Sequence, residues 1–376
     1  MPEDMPPPDA PRPPPLETVI RRAAEGRRVE VWAVGLVAGG VVLAVLNLAA
    51  TFLIPLAVAI FLFSLLNAGI DRIERLRLGP FRTPRWAASV AALAALALGL
   101  FLVITLVTAQ VNTLIAVGPG YIARAEAALA ALATDLGEET AEGLVTAFRD
   151  LRAGDQLRAL AGSAGGAMVT ATLVTLYVGF MLAERSHLRR KLGRIAPEPA
   201  QAARVDAVIR SITRSVHRYI LVKTLVSAVT GFLAYLVLET AGLELAKTIG
   251  LITFVLNFIP NIGSIVATVI AGIVVFVEFE DVAVILGVVG LLSAMQFTIG
   301  QVMEPLLVGR TLQLSPLIIV LSLVFWGLVW GPAGMFLAVP IMVTVLIVCA
   351  HVPSLRPVAV VLSANGDLPG EGELRA

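Results

Sequence analysis

LAKTIGLITFVLNFIPNIGSIVATVIAGIVVFV, residues 245–277, is an apolar run broken at its middle by Pro260-Asn261-Ile262-Gly263-Ser264. Each arm has about 16 residues, or roughly 24 Å of helix at 1.5 Å per residue. The hydrocarbon core of a bilayer is about 30 Å thick. The run is therefore either two short spans or a re-entrant hairpin. Flanking charge does not separate the two, because zero and two crossings give the same sidedness. The turn itself favours the hairpin. Its free backbone groups are tolerated at membrane depth only under a cover of protein or in a watery cavity.

Working outward, further apolar runs lie at about 31–49, 51–70, 87–109, 164–183, 219–238, 282–303, 314–331 and 333–352. Runs of this length with few charges read as membrane-spanning helices. The whole chain of 376 residues is 58% hydrophobic and 15% charged, where a soluble domain is about 45–50% apolar and about 25% charged. That balance excludes a cytosolic enzyme, a nucleic-acid binder and a disulfide-stapled secreted domain. The Ala- and Leu-rich third run is strongly helix-forming, and a transmembrane barrel would need short alternating strands. The expected fold is all-α: a polytopic transmembrane helix bundle of about eight spans plus the interrupted or re-entrant hairpin. The one cysteine, Cys349, lies in an apolar run and reads as a small hydrophobe.

The ends and loops give the organisation. Residues 1–30 read as a disordered, Pro-rich cytoplasmic tail with a lead-in helix; the first 15 residues hold 8 of the 22 prolines. With no convincing cleavage site before the first runs, this is not a signal peptide. Residues 31–109 hold three spans, 110–163 an extracytoplasmic helical segment, and 164–355 the C-terminal core. That core includes the basic linker 184–218 and the hairpin 245–277. Residues 356–376 read as a cytoplasmic tail. Lys and Arg prefer cytoplasmic loops. Residues 1–30 carry five, 71–86 five and 184–218 nine, whereas 110–163 has four basic against seven acidic residues. The alternation places both termini in the cytoplasm.

Chemistry is sought among polar groups inside apolar runs, which are costly there and functional candidates by default. Phosphate loops, zinc-protease motifs and nucleophile elbows are missing, and the three histidines sit in or beside basic segments. No enzyme activity, cofactor or metal is expected. Asn257 and Asn261 flank the turn, and Pro260 and Gly263 make the break. Ser264 and Thr268 follow Asn261 by three and seven residues, on one helical face. Gln296 and Gln301 lie in the next span. For each amide or hydroxyl the plain alternative is an interhelical bond that glues the bundle. Glu304, followed by Pro305, could bind a cation or relay a proton; it could equally reach interfacial water or pair with Arg310. Lys223 reads as snorkelling to the cytoplasmic interface, with a counter-charge role toward Glu304 as the weaker alternative. Gly327 and Gly331 form a G-x-x-x-G packing step.

Three blocks carry a resemblance: RYILVKTLVSAVTG (218–231), LITFVLNFIPNIGSIVATV (251–269) and VMEPLLVGRTLQLSPLIIVLSLVFWGLVWGPAGMFLAVP (302–340). In sequence and order they resemble the autoinducer-2 exporter family of permeases. The likeness is strong over 210–355 and rests on hydropathy alone earlier. It implies an inner-membrane protein of about eight spans with an interrupted hairpin, assembled as a homo-oligomer. It implies export of the quorum signal autoinducer-2 or, as in some members, sodium(lithium)/proton antiport. Gln313 stands where the family more usually has glycine.

The residues leave three functions open. A permease for a small neutral polar metabolite would suit the uncharged Asn257, Asn261, Ser264, Thr268 and Gln296. A cation/proton antiporter would use Glu304, although a hard cation wants several oxygens. A non-transport membrane scaffold would use the basic linker to dock anionic lipid or a partner. The expected partners are a small-molecule or cation substrate, the lipid bilayer and further copies of the chain, with no nucleic acid.

Overall fold

A computed structural model describes residues 33–75, 84–136, 166–185, 187, 199–308 and 313–368. Residues 137–163 of the segment 110–163, residues 186 and 188–198 of the linker 184–218, Gly309-Arg310 and the first 32 residues lie outside them. Every element described is helical apart from one antiparallel bridge between Leu314 and Ser363. The chain to Leu53 forms one unit and Ile54 onward another. The first holds the apolar helix α1 (Ala33–Leu48).

In the second unit, α2 (Ala50–Arg75) packs from Val58 onward with α3 (Arg85–Leu136) and α4 (Gly166–Arg185) around Ala59, Val174 and Val178. α3 is longer than the expected span over 87–109. Residues 110–136, expected to open an extracytoplasmic segment, continue the same helix, and apolar sequence runs to Ala127. α5 (Pro199–Ala241) is similarly long, carrying part of the expected linker directly into the next apolar run.

The run 245–277 folds as α6 (Ala246–Leu256) and α7 (Ile262–Glu278). The 11 residues of α6 make about 16 Å of helix, too short for a bilayer core of about 30 Å. The arms double back tightly, because a Cβ at Gly263 would lie 1.7 Å from the Leu256 carbonyl oxygen. At the tip, Ile262 N–H donates to Pro260 O at 2.6 Å, and Asn261 between them has φ 59° and ψ −53°. This is a γ-turn of the rare, strained hand.

After α8 (Val282–Thr298) comes a π-helical turn, Ile299–Met303, and then the short α9 (Glu304–Val308). α10 (Pro316–His351) is two arms joined at Gly331, whose φ of 61° and ψ of −146° are open only to glycine. The expected last two spans are thus one tight helical hairpin. A Cβ at Gly334 would lie 1.9 Å from the Trp326 carbonyl oxygen, while one at Gly327 would meet the Met335 side chain at 2.7 Å. This corrects the G-x-x-x-G reading. Gly327 packs across the hairpin, but nothing lies within 4 Å of a Cβ at Gly331. Gly331 supplies the turn instead, with Pro332 opening the second arm.

The two hairpins approach α5 from opposite ends. The base of the first packs near the end of α5, through Leu238, Leu243, Ala246, Ile249 and Val275. The base of the second packs near Tyr219, through Val343, Leu346 and Ile347. Between the two bases their apical regions meet, with the Phe258 and Phe336 rings 5.2 Å apart. The C-terminus is partly structural. Residues 356–368 of the expected tail 356–376 include α11 (Arg356–Leu362), and Ala359 and Leu368 are buried against the second hairpin.

Large apolar side chains point outward on these helices, Leu328 being 81% exposed and Leu306 77%. Water would penalise that surface, whereas lipid accepts it. Six described helices are long and apolar enough to cross a membrane.

Gly263→Ala and Gly334→Ala are expected to lower stability by about 1–3 kcal/mol or more, because each methyl meets a backbone carbonyl. Gly290→Ala, where a Cβ meets nothing within 4 Å, is expected to gain about 0.5–1 kcal/mol. Thermal unfolding of the detergent-solubilised protein checks the opposite signs.

Candidate functional site

α5 carries a polar stripe. Tyr219, Lys223 and Ser227 succeed one another at four-residue steps, with Thr230 three further on, so all face one side. Lys223, Ser227 and Thr230 are at most 2% exposed and Tyr219 is 6% exposed. At Ser227 the stripe meets the first hairpin, where glycines let the helices touch. A Cβ at Gly231 would lie 2.8 Å from Gly250 O, and one at Gly250 would lie 3.0 Å from Gly231 O. Without side chains at the crossing, the backbones of α5 and α6 approach closely.

Lys223 does not snorkel. Its side chain is 2% exposed, and its Nζ donates to Glu304 Oε1 at 2.6 Å. The weaker sequence alternative, a counter-charge for Glu304, is what the structure holds. Burial explains the outcome: an ammonium removed from water needs an anion and hydrogen bonds. The π-helical turn directly before Glu304 adds a residue to the helical repeat and so resets the direction in which α9 faces. Such turns recur at functional sites.

Asn257 is buried and donates through Nδ2 to Ser227 Oγ at 3.1 Å. Asn261 is exposed at the hairpin tip beside the half-buried Pro260, and Gly263 is the close-packed residue of the turn. Ser264 and Thr268 bond back to carbonyls of their own segment, Asn261 O and Ser264 O, at 2.9 Å each. They are locally satisfied and do not join Asn257. Gln296 is half-buried, and Gln301 is exposed within the π-helical turn. Neither makes a hydrogen bond to the Asn257–Ser227 group among the described residues.

The structure therefore brings two pairs together on one helix: Lys223 with Glu304, and Asn257 with Ser227. A cavity of about 60 Å³ adjoins Lys223; apart from Lys223 and Tyr219 its lining is apolar, with Val58, Phe61, Phe258 and Phe336 among the residues. Sequence reasoning missed Tyr219 and Ser227 as site residues. The four-residue recurrence of polar side chains in an apolar run was the available signal. A second missed group braces the base of the first hairpin. Glu278 accepts from Tyr121 Oη at 2.5 Å and from the Glu244 N–H at 2.8 Å, while Thr248 donates to Gln110 at 2.6 Å. Among the described residues, no cluster of three or more His, Cys, Asp or Glu could hold a metal ion.

Broken helices converging on buried polar groups inside a multi-pass membrane bundle define a membrane permease. A family model described as AI-2E family transporter matches residues 36–354. The chain belongs to that family. It is 30% identical to the AI-2 transport protein TqsA of Escherichia coli (strain K12) over 329 residues, covering 86% of this chain and 92% of that protein. It is 34% identical to YhhT of the same organism over 183 residues, about half of each chain (49% and 51%). To YrrI of Bacillus subtilis (strain 168) it is 29% identical over 189 residues, again 50% and 52%.

Lys223→Met leaves a carboxylate without its cation and is expected to cost stability, toward the lower end of about 3–5 kcal/mol, because Glu304 keeps 22% exposure. Lys223→Met combined with Glu304→Gln is expected to recover most of that loss. A double-mutant cycle on thermal unfolding in detergent measures the coupling.

Proposed function

We propose that this protein is a secondary permease of the cell inner membrane that exports a small, neutral, polar metabolite of the autoinducer-2 type. Both termini face the cytoplasm in this reading, and the working form is a homo-oligomer. The loop-by-loop distribution of Lys and Arg supports the orientation. The likeness to TqsA, named for AI-2 transport, supports the solute class.

One observation carries the reading. Lys223 occupies the carboxylate of Glu304, the acidic residue that cation/proton antiport would need. A sodium or lithium ion would have to share that carboxylate with an ammonium at 2.6 Å. The other polar groups beside the hairpin apices are uncharged: Asn257, Ser227, Asn261 and the Tyr219 hydroxyl. A neutral solute with several donors and acceptors matches them. Alternating access would move the first hairpin and its neighbours against the remaining spans. The strained turn at Asn261 would then be the part of the hairpin that changes its contacts. The work is transport rather than catalysis, and a scaffold role would leave the buried polar stripe without a use.

Flux in proteoliposomes tests this. Wild type is expected to move labelled autoinducer-2 down its gradient without sodium or lithium exchange. Glu304→Gln is expected to slow that flux by about tenfold or more, since it leaves the Lys223 charge uncompensated beside the pathway. Saturable, pH-dependent cation exchange in wild type that Glu304→Gln removes would replace this reading by antiport. Absence of autoinducer-2 flux, with TqsA active in parallel, would remove the autoinducer-2 assignment.

A further inference from the structure

Both hairpins are tied at their bases. At the first, Glu278 accepts from Tyr121 Oη and from the Glu244 N–H. At the second, the chain before α10 pairs with the chain after α11. The Ser315 N–H donates to Leu362 O at 3.0 Å and the Ala364 N–H to Gln313 O at 2.8 Å, around the Leu314–Ser363 bridge. The tips are held less firmly. Asn261 stands in a strained γ-turn, and Gly331 in backbone space that only glycine reaches. Where the apical regions meet, the contact is aromatic. The Phe258 ring lies 5.2 Å from that of Phe336, and the Phe254 ring stands edge-on to Phe258 at 5.4 Å. Phe336 keeps 39% exposure, so this contact is not locked into a core. The cavity of about 60 Å³ beside it is bounded by Val58, Phe61 and Leu62 of α2. Seven of its nine lining residues are apolar, and the Lys223 ammonium is already held by Glu304. A water there would need about two to four hydrogen-bond partners, which such walls do not supply.

We infer that Phe258 and Phe336, with Phe61 across the cavity, form an apolar gate that seals the pathway between the two hairpin tips. This role rests on the permease reading and adds to it the residues that close the path. A dry apolar constriction stops water and dissolved solutes, because a polar group entering it loses hydration that the walls do not replace. The neighbouring polar pairs, Lys223–Glu304 and Asn257–Ser227, would take up water if the rings were gone. The two rings belong to hairpins that enter from opposite ends of α5. Either tip can therefore withdraw its ring while both bases stay tied. Parting the rings opens the seal, and their contact closes it again without any charged latch.

Liposomes holding the full-length protein and a pH-sensitive dye test the seal without any substrate. Wild type is expected to keep an imposed proton gradient. Phe336→Ser puts a hydroxyl where the ring stood and is expected to dissipate the gradient several-fold faster. Adding Phe258→Ser is expected to speed the leak further. Phe336→Leu, which stays apolar, is expected to keep the gradient as wild type does. So is Phe325→Ser, which changes a ring on the same hairpin that does not line the cavity. In a second arm, Phe258→Cys and Phe336→Cys in a Cys349→Ala background are joined by a short, reducible bifunctional thiol reagent. Joining them is expected to abolish labelled autoinducer-2 flux, and reduction to restore it. Serine variants as tight as wild type would overturn the gate, as would flux undiminished by a completed cross-link. Equal leak through Phe336→Leu or Phe325→Ser would overturn it too, because the loss would not then follow from polarity between the tips. Leaky serine variants in a protein that moves no autoinducer-2 uphold the gate and remove the autoinducer-2 assignment. Autoinducer-2 flux in wild type with tight serine variants removes the gate and keeps the permease.

Discussion

A lysine ammonium buried in an apolar bundle has to meet a carboxylate, and much else in this protein depends on that requirement. Lys223 is 2% exposed and its partner lies 81 residues further along the chain. Bringing Glu304 to it ties α5 to the segment after α8. The π-helical turn over Ile299–Met303 sits at the point where that direction has to be set. Ser227, one turn further along the same face, holds Asn257 at the end of α6. One helix face therefore anchors the first hairpin and the α8–α9 segment together. The charge is neutralised inside the protein.

The second constraint is steric. Two hairpins enter from opposite ends of α5, and each can double back only where a side chain is missing. Gly263 lies against the Leu256 carbonyl and Gly334 against the Trp326 carbonyl. The turns are made differently. Gly331 uses backbone space that only glycine reaches, whereas Asn261 carries its positive φ in a strained γ-turn. An asparagine there costs more than a glycine would, yet it presents an amide at the tip of a hairpin whose mobility the transport reading requires. The outer brace of Glu278, Tyr121 and the Glu244 N–H holds the base of that hairpin, so any motion would concentrate at the apex.

How much of this was legible depended on whether the signal was local. The break at Pro260–Ser264 is a contiguous violation of apolar sequence, so the first hairpin was readable, and its short arm then argues against a complete span. The second hairpin was not, because a Gly-Pro step between two full-length apolar runs reads equally well as a loop between spans. Ser264 and Thr268 shared a helix face with Asn261 as expected, but sharing a face does not aim a hydroxyl. Both turned back to carbonyls on their own segment, as such side chains do when no better acceptor is near. Gln313 takes φ 47°, backbone space that glycine reaches at less cost.

The sequence by itself determined the all-α membrane bundle, the family and the interrupted run at 245–277. Those rest on composition, run length and contiguous motifs, which need no neighbour to be read. Only the tertiary structure decided that Lys223 is buried against Glu304, that Asn257 meets Ser227 and that Gly331 is a turn rather than a packing step. It also buried the Tyr219 hydroxyl with no bond to another described residue. These outcomes depend on how each helix is rotated about its axis and which backbones can touch. Both are settled by packing between segments far apart in the chain.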